Sequence, residues 1–83
     1  MKAKIYITYK DGILDPQGKT VGNALNAIGL LNINEVAIGK FIEMSFDSKL
    51  SKEEVRDLTE QSCRILLANP NTEQYRFDIM DDK

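Results

Sequence analysis

Apolar and polar residues alternate cleanly over the first ten positions of the chain. Met1, Ala3, Ile5, Ile7 and Tyr9 share one parity, while the other carries three lysines, a threonine and a tyrosine. A period of two over this length predicts a half-buried β-strand.

The next pattern has the period of a helix. Asp15 can accept hydrogen bonds from free backbone N–H groups and Pro16 fits the first helical position, so a helix is expected to start there. Apolar residues then follow the helical spacing as far as Ile28, and Gly29 is placed to end the helix in a left-handed conformation. The first helix is predicted over about 16–28.

A second helix begins at a capping box. Ser51 and Glu54 have the required spacing, Leu50 and Val55 are placed as the hydrophobic staple, and Asn69-Pro70 ends the segment. The residues expected to face inward are Val55, Leu58, Ser62, Ile65 and Leu66.

Between these helices, the apolar residues of segment 34–46 keep one parity. One strand of thirteen residues would extend about 43 Å, whereas a compact domain of this length has a radius of gyration of about 12 Å. We therefore expect a hairpin with a loop of residues 39–41, which pairs Ile38 with Ile42 and Val36 with Met44 and leaves Phe41 at the tip.

The last alternation, through Tyr75, Phe77 and Ile79, predicts a final strand. The expected order is β-α-β-β-α-β, and a half-apolar sheet with both helices on one face is an economical packing for it. The sequence thus predicts an α+β ferredoxin-like sandwich forming a single domain over 1–83. A domain of this size is marginal alone, so burial against a partner subunit would matter.

The composition of the chain excludes several kinds of catalytic and metal site and argues against two kinds of partner. The chain has no histidine, one cysteine and a net charge of −2. The first count excludes His-based nucleophilic triads and His-containing zinc sites, and Cys63 alone can form neither an internal disulfide nor a thiolate cluster. The acidic balance argues against a nucleic-acid partner. No apolar run reaches the length of a membrane span and no signal segment is present, so we expect a cytoplasmic protein without a membrane partner.

Two motifs with catalytic potential are better explained structurally. Gly18-Lys19-Thr20 resembles the end of a phosphate loop, but the first required glycine is replaced by Ile13. The acidic residues of the second helix alternate with basic ones, as on a solvated helix face. Nothing suggests the burial that a catalytic carboxylate pair needs, although such an enzyme remains a hypothesis.

Four strings together resemble one family. They are Gly12-Ile-Leu-Asp-Pro-Gln-Gly18, Gly39-Lys-Phe-Ile-Glu43, Leu66-Leu-Ala-Asn-Pro70 and Tyr75-Arg-Phe77. In order and at matching length, they resemble the small PurS subunit of phosphoribosylformylglycinamidine synthase over essentially the whole chain. Phe41 stands where a tyrosine is expected, which removes one hydroxyl group.

The resemblance implies a non-catalytic role in purine biosynthesis. In that complex a synthetase subunit uses ATP and Mg²⁺ to activate formylglycinamide ribonucleotide, and a glutaminase subunit supplies ammonia from glutamine. The small subunit would form a homodimer, or a dimer of dimers, that bridges these two partners and supports ammonia transfer. It would carry no catalytic residue, cofactor or metal of its own.

Candidate contact residues follow from the same strings. Those expected at interfaces are Asp15, Gln17, Lys40, Phe41, Asn69, Tyr75 and Arg76. For Pro16, Gly18 and Pro70 the structural reading is preferred, since they start, shape or end helices. An alternative function is a stand-alone ferredoxin-like regulatory module that binds a small molecule.

Overall fold

The computed structural model describes residues 1–81, and its centre is a three-stranded antiparallel sheet. Strands β1 (Lys2–Tyr9), β2 (Lys40–Ser45) and β3 (Glu73–Met80) lie in the order β2-β1-β3. The two helices are α1 (Pro16–Ala27) and α2 (Lys52–Ser62). The α+β ferredoxin-like class is confirmed.

The core lies between the sheet and α2. Ala3, Ile5 and Ile7 of β1 are fully buried, as the alternating pattern predicts, and Ile5 lies opposite Ile42 on one side and Phe77 on the other. The capping box of α2 is confirmed, because Ser51 and Glu54 each accept a backbone N–H from the other.

The inward stripe predicted for α2 is confirmed at Val55 and wrong beyond it, where Leu66 is 81% exposed. The residues that face the sheet are Val55, Thr59 and Cys63, all fully buried, whereas Leu58 and Ile65 are exposed. Thr59 can occupy the core because its hydroxyl donates to the carbonyl of Val55 at 2.7 Å. After Ser62 the chain continues as a π-helix, Cys63–Leu67, which ends before Asn69-Pro70.

Helix α1 starts at Pro16 as predicted, with Asp15 as its N-cap, and Gly29 has φ +92° just beyond its end. Among residues 1–81, α1 makes no extensive contact with the sheet and packs instead against the segment after it. The described residues consequently have a radius of gyration of 16.4 Å and a longest extent of 51 Å. A compact domain of this length would have a radius of gyration of about 12 Å.

The predicted hairpin over 34–46 is wrong. The segment 30–39 contains no turn or bend, β2 starts at Lys40, and Ile42 and Met44 pair with β1. Phe41 therefore lies within β2, opposite Tyr6, and not at a hairpin tip. The compactness on which the hairpin was predicted does not hold for this chain.

Candidate interaction surfaces

Residues 14–38, which comprise α1 and the segments on either side of it, form a unit that we call the arm. Asp15 holds it together, since its Oδ1 accepts the N–H of Gly18 at 2.9 Å and its Oδ2 accepts the N–H of Ile38 at 2.8 Å. The hydrogen bonds from Ile38 and then Gly18 lower the pKa of the Asp15 carboxyl below its ordinary value. Gly18 lies so close to the carbonyl of Val36 that no side chain fits between them.

The arm exposes an apolar surface. Its uncovered large side chains include Leu14, Val21, Ile28, Leu30, Leu31 and Ile33, with Ile28 73% exposed. Single exposed apolar residues are ordinary, whereas a contiguous exposed apolar patch is typical of a contact surface for another protein or a ligand.

A complementary surface lies beside α2, and we call it the helix groove. Glu60 accepts the hydroxyl of Tyr75 on β3, so the opposite flank of α2, with Leu58 and Ile65, is turned toward β2. That flank is uncovered, with Ile65 79% exposed, and the neighbouring Ile42 on β2 is half-buried. This is the place where a ferredoxin-like fold carries its first helix.

The sheet surface away from α2 is the open face. At its centre the guanidinium of Arg76 lies 4.1 Å from the ring centroid of Tyr6, and the ring of Phe41 lies 5.2 Å from it on the other side. In the next row, Lys4 is flanked by Glu43 and Asp78. Phe41 is 55% exposed, so this face offers an aromatic and cationic patch.

At one end of the sheet, three predicted contact residues gather around Glu73. Its carboxylate accepts the backbone N–H of Asn69 at 2.7 Å and lies 3.6 Å from Nζ of Lys40. Gln17 lines the same small cleft as Lys40 and Glu73. Sequence reasoning missed Glu73, although its place at the start of β3, beside the Asn69 turn, was a usable signal.

The predicted contact residues thus fall on different surfaces. Phe41 and Arg76 meet on the open face around Tyr6, which sequence reasoning did not select although it shares their parity. Tyr75 lies on the opposite face against Glu60, and this hydrogen bond raises the pKa of its phenol. The Asp15 carboxylate accepts hydrogen bonds within the arm and belongs to neither face of the sheet. Their roles as interface residues stay predictions.

Within 1–81 no group of three His, Cys, Asp or Glu side chains is arranged to hold a metal ion. Cys63 is fully buried, and burial, followed by the charge of Glu60, raises the pKa of its thiol. No helix in this part of the chain is long and apolar enough to span a membrane.

A three-stranded antiparallel sheet with two helices and an exposed apolar arm defines a class: small α+β domains of the ferredoxin-like type. The family model for PurS, phosphoribosylformylglycinamidine (FGAM) synthase, matches residues 2–81, and the chain belongs to this family. It is a subunit of the FGAM synthase complex of purine biosynthesis.

Curated relatives agree over nearly their full length. The chain is 35% identical over 78 residues to the FGAM synthase subunit PurS of Bacillus subtilis, covering 94% of this chain and 90% of the relative. It is 36% identical over 78 residues to the PurS subunit of Methanocaldococcus jannaschii, covering 94% and 93%. These matches do not favour a stand-alone regulatory module.

Solved structures agree as well. A crystal structure of B. subtilis PurS matches with a TM-score of 0.85 and 34% identity, covering 96% of this chain and 98% of the other. A chain in the structure of PurLQS from Thermotoga maritima matches with a TM-score of 0.85 and 26% identity, covering 95% of each.

Proposed function

We propose that this chain is a non-catalytic homodimer that bridges the glutaminase and synthetase subunits of FGAM synthase and so supports ammonia transfer between them. The observation that carries the proposal is that the apolar side chains of the arm and those of the helix groove are both exposed within one chain. ATP and Mg²⁺ would bind to the synthetase subunit. The similarity to a chain of PurLQS supports assembly with two further subunits.

The dimer forms by exchange of arms. Val21 of α1 and Ile28, the residue just after this helix, are seven residues apart. Leu58 of α2 and Ile65 of the π-helix that follows it have the same spacing, so each pair is separated by about two helical turns. Neighbouring helices in this fold run antiparallel, which places Val21 beside Ile65 and Ile28 beside Leu58 of a second copy. All four side chains are exposed within one chain, and the exchange would bury them.

The exchange also completes the sheet. In the part of the chain that the structure describes, the outer edge of β2 carries no strand, and residues 34–38 lead straight into β2 without a turn. Antiparallel pairing of this segment with β2 of a second copy keeps the register expected for the hairpin, with Ile38 opposite the other copy's residue 42. The apolar residues of one parity, whose spacing suggested a hairpin, then lie opposite each other across two chains.

A rigid scaffold suits ammonia transfer. Ammonia released into bulk water would be protonated or lost, so the two active sites must be held in a fixed relation and screened from solvent. Two surfaces of the dimer remain for the larger subunits. They are the Gln17, Lys40 and Asn69 cluster and the open face with Phe41 and Arg76.

A disulfide experiment tests the exchange. In a Cys63→Ala background, the double variant Ile38→Cys/Ile42→Cys would oxidise to a covalent dimer, whereas a hairpin within each chain would give an oxidised monomer. The control variant Ile38→Cys/Leu66→Cys should give no specific cross-link. A monomeric product would overturn the exchange.

A reconstitution experiment tests the role itself. Mixing the glutaminase and synthetase subunits with and without this chain should show that glutamine-dependent FGAM formation requires it. Equal activity in its absence would refute the proposal, while ammonia-dependent synthesis by the synthetase serves as the control that the partner is folded.

A further inference from the structure

The turn that carries the chain from β1 into the arm contains Asp11 followed by Gly12, and no other aspartate or asparagine of the sequence precedes a glycine. The N–H of Ile13 donates to the carbonyl of Lys10 at 3.1 Å. Gly12 has φ +83° and Asp11 has no positive φ, so residues 10–13 form a type II turn. Asp11 is exposed, and apart from its chain neighbours no described atom lies within 4 Å of the place that a Cβ would take at Gly12. The pair is therefore open to solvent and has room to change its backbone.

The two residues of this turn can react with each other. We propose that Asp11 isomerises spontaneously to isoaspartate in the folded chain. The backbone nitrogen of Gly12 attacks Cγ of Asp11, so that a C–N bond forms, a C–O bond of the carboxyl group breaks, and the hydroxyl leaves with the amide proton as water. Water then adds to one of the two carbonyls of the five-membered ring and breaks its bond to nitrogen. Cleavage at the main-chain carbonyl leaves isoaspartate, cleavage at Cγ restores aspartate, and neither step needs an oxidant, a reductant or a cofactor.

The turn favours this attack because the Gly12 N–H is not engaged. In a type II turn the hydrogen bond joins the first and fourth residues, so the third residue keeps its own N–H. Among residues 1–81, Gly12 donates no backbone hydrogen bond, and the carboxylate of Asp11 forms neither a hydrogen bond nor an ion pair. Glycine also leaves the approach to Cγ unobstructed and accepts the backbone angles of the ring, since it has no side chain.

Other aspartates lack one or more of these features. Asp15 precedes Pro16, which has no N–H to lose. The carboxylate of Asp47 already accepts the N–H of Lys49 at 2.9 Å, and a serine with its own Cβ follows it. Two further aspartates lie inside α2 and β3, where the backbone conformation is fixed. Asp11 is thus the aspartate that the structure leaves able to cyclise.

Isomerisation changes the joint between the sheet and the arm. In isoaspartate the main chain runs through the former side chain and gains one atom. Lys10, just before the joint, is tied to the end of the sheet, since its N–H donates to the carbonyl of Thr72 at 2.9 Å. The other connection of the arm is fixed as well, because Gly39 lies so close to the carbonyl of Ile7 that no side chain fits between them. The added atom therefore displaces the arm and weakens arm exchange, an effect that rests on the proposed function, whereas the chemistry does not.

Peptide mapping of the full-length chain tests the reaction. Trypsin releases residues 11–19 and 41–49 as separate peptides, so Asp11 and Asp47 are compared in one digest. After prolonged incubation at neutral pH, isoaspartate in 11–19 should exceed that in 41–49 at least about tenfold. Chromatography and electron-transfer fragmentation distinguish the isomers, which have equal mass. Asp11→Glu, which keeps the charge but must close a six-membered ring, is the matched control and should form at least about tenfold less.

A denatured reference and the cross-link make the outcome decisive. A turn that reacts in the folded state should do so within about tenfold of the rate in urea, whereas reaction through global unfolding alone would be slower by about 10³-fold or more. Suppression beyond tenfold, or equal isoaspartate in the two peptides, would overturn the proposal. When the Ile38→Cys/Ile42→Cys chain is incubated before oxidation, isoaspartate should be several-fold enriched in the unlinked monomer over the covalent dimer. Equal content would overturn the effect on the arm, while a chain that forms no covalent dimer even without incubation would refute the arm exchange itself.

Discussion

The carboxylate of Asp15 joins the start of α1 to Ile38, 23 positions further along the chain, through an N–H···O hydrogen bond of 2.8 Å. Its other oxygen caps the helix at Gly18. One side chain thus fixes the orientation of α1 relative to the strand-like segment that would enter a second copy. This gives the arm a defined shape before any partner is bound.

Replacement of Asp15 by Ala should loosen the arm. Without the carboxylate the N–H groups of Gly18 and Ile38 lose their acceptor, so amide hydrogen exchange at both positions should accelerate at least about tenfold. The exchange rates can be read by NMR. Asp11→Ala, an exposed acidic residue in the preceding turn, is the matched control and should leave both rates unchanged.

The same bonds give a pH dependence. Because the folded-state pKa of Asp15 is lowered, its contribution is present above the ordinary carboxyl pKa of 3.8 and is lost as the pH falls through the folded value. Protection of the Ile38 amide should therefore persist at neutral pH and decline only in acid. Protection that is unchanged in the Asp15→Ala chain would show that the bond does not hold the arm.

Two glycines of α1 offer a matched pair of substitutions. A Cβ at Gly18 would lie 2.2 Å from the carbonyl oxygen of Val36, whereas a Cβ at Gly22 would lie 3.6 Å from the Val36 side chain, which is ordinary contact. Gly18→Ala should destabilise the protein by about 2 kcal/mol or more through overpacking. Gly22→Ala should stabilise it by up to about 1 kcal/mol, because alanine favours the helix.

Urea unfolding at fixed protein concentration measures both changes, and the concentration must be held constant because assembly adds to the apparent free energy of unfolding. Equal effects of the two substitutions would mean that the arm does not pack as the structure shows.

The thiol of Cys63 should report on opening of the core. It is fully buried between α2 and the sheet, and burial raises its pKa, so both access and thiolate fraction are low in the folded state. Its reaction with an aromatic disulfide reagent should follow the unfolding transition. Leu66→Cys in a Cys63→Ala background, at a side chain that is 81% exposed, should react at once. Rapid reaction of native Cys63 would contradict its burial.

The bond between Tyr75 and Glu60 should make stability sensitive to alkali. The raised phenol pKa means that its contribution is complete below the ordinary value of 10.0 and is lost as the pH rises through the folded value. Tyr75→Phe should remove this alkaline loss of stability, measured by thermal melting from neutral pH to above pH 10. Tyr9→Phe, at an exposed tyrosine, should retain it. An unchanged alkaline slope in Tyr75→Phe would assign the effect elsewhere.

Much of the local structure follows from the sequence. Asp15-Pro16 and the capping box of Ser51 specify where the helices begin, and the alternation around Ile5 and Phe77 specifies two strands and their buried faces. These signals are local, because each depends on residues within one or two turns or on the period of a single strand.

The sequence could not specify whether the strand that pairs with a given segment comes from the same chain or from another copy. The parity of Val36, Ile38 and Ile42 is the same for a hairpin and for an extended segment that pairs with another copy, so the choice depended on assuming a compact monomer. On α2, the inward face that starts at Val55 could continue either through Leu58 or through Thr59. Leucine is the more common core residue, so the sequence favours Leu58. Thr59 can be buried because its hydroxyl donates to a carbonyl within the helix, and Leu58 is left exposed.

The sequence did not predict which candidate contact residues share a surface. Phe41 and Arg76 were chosen because no local rule explains them, and the structure brings them to one face around Tyr6. Their meeting depends on the sheet order β2-β1-β3, which a single sequence does not specify. Tyr75 was grouped with Arg76 although adjacent strand residues point to opposite faces.

Replacement of Phe41 should separate assembly from folding. Its ring is 55% exposed and packs at a tilt against the ring of Tyr6, so Phe41→Ser should cost about 1 kcal/mol or less in the free energy of unfolding. Phe77→Ala, on the face under α2, should cost about 2 kcal/mol or more because it leaves a cavity in the core. With the larger subunits present, Phe41→Ser should reduce co-purification and glutamine-dependent FGAM formation while its melting temperature stays close to wild type. Relative to its effect on stability, it should therefore weaken complex formation more than Phe77→Ala does. A drop of several degrees in that melting temperature with co-purification intact would show that Phe41 stabilises the fold and is not a contact.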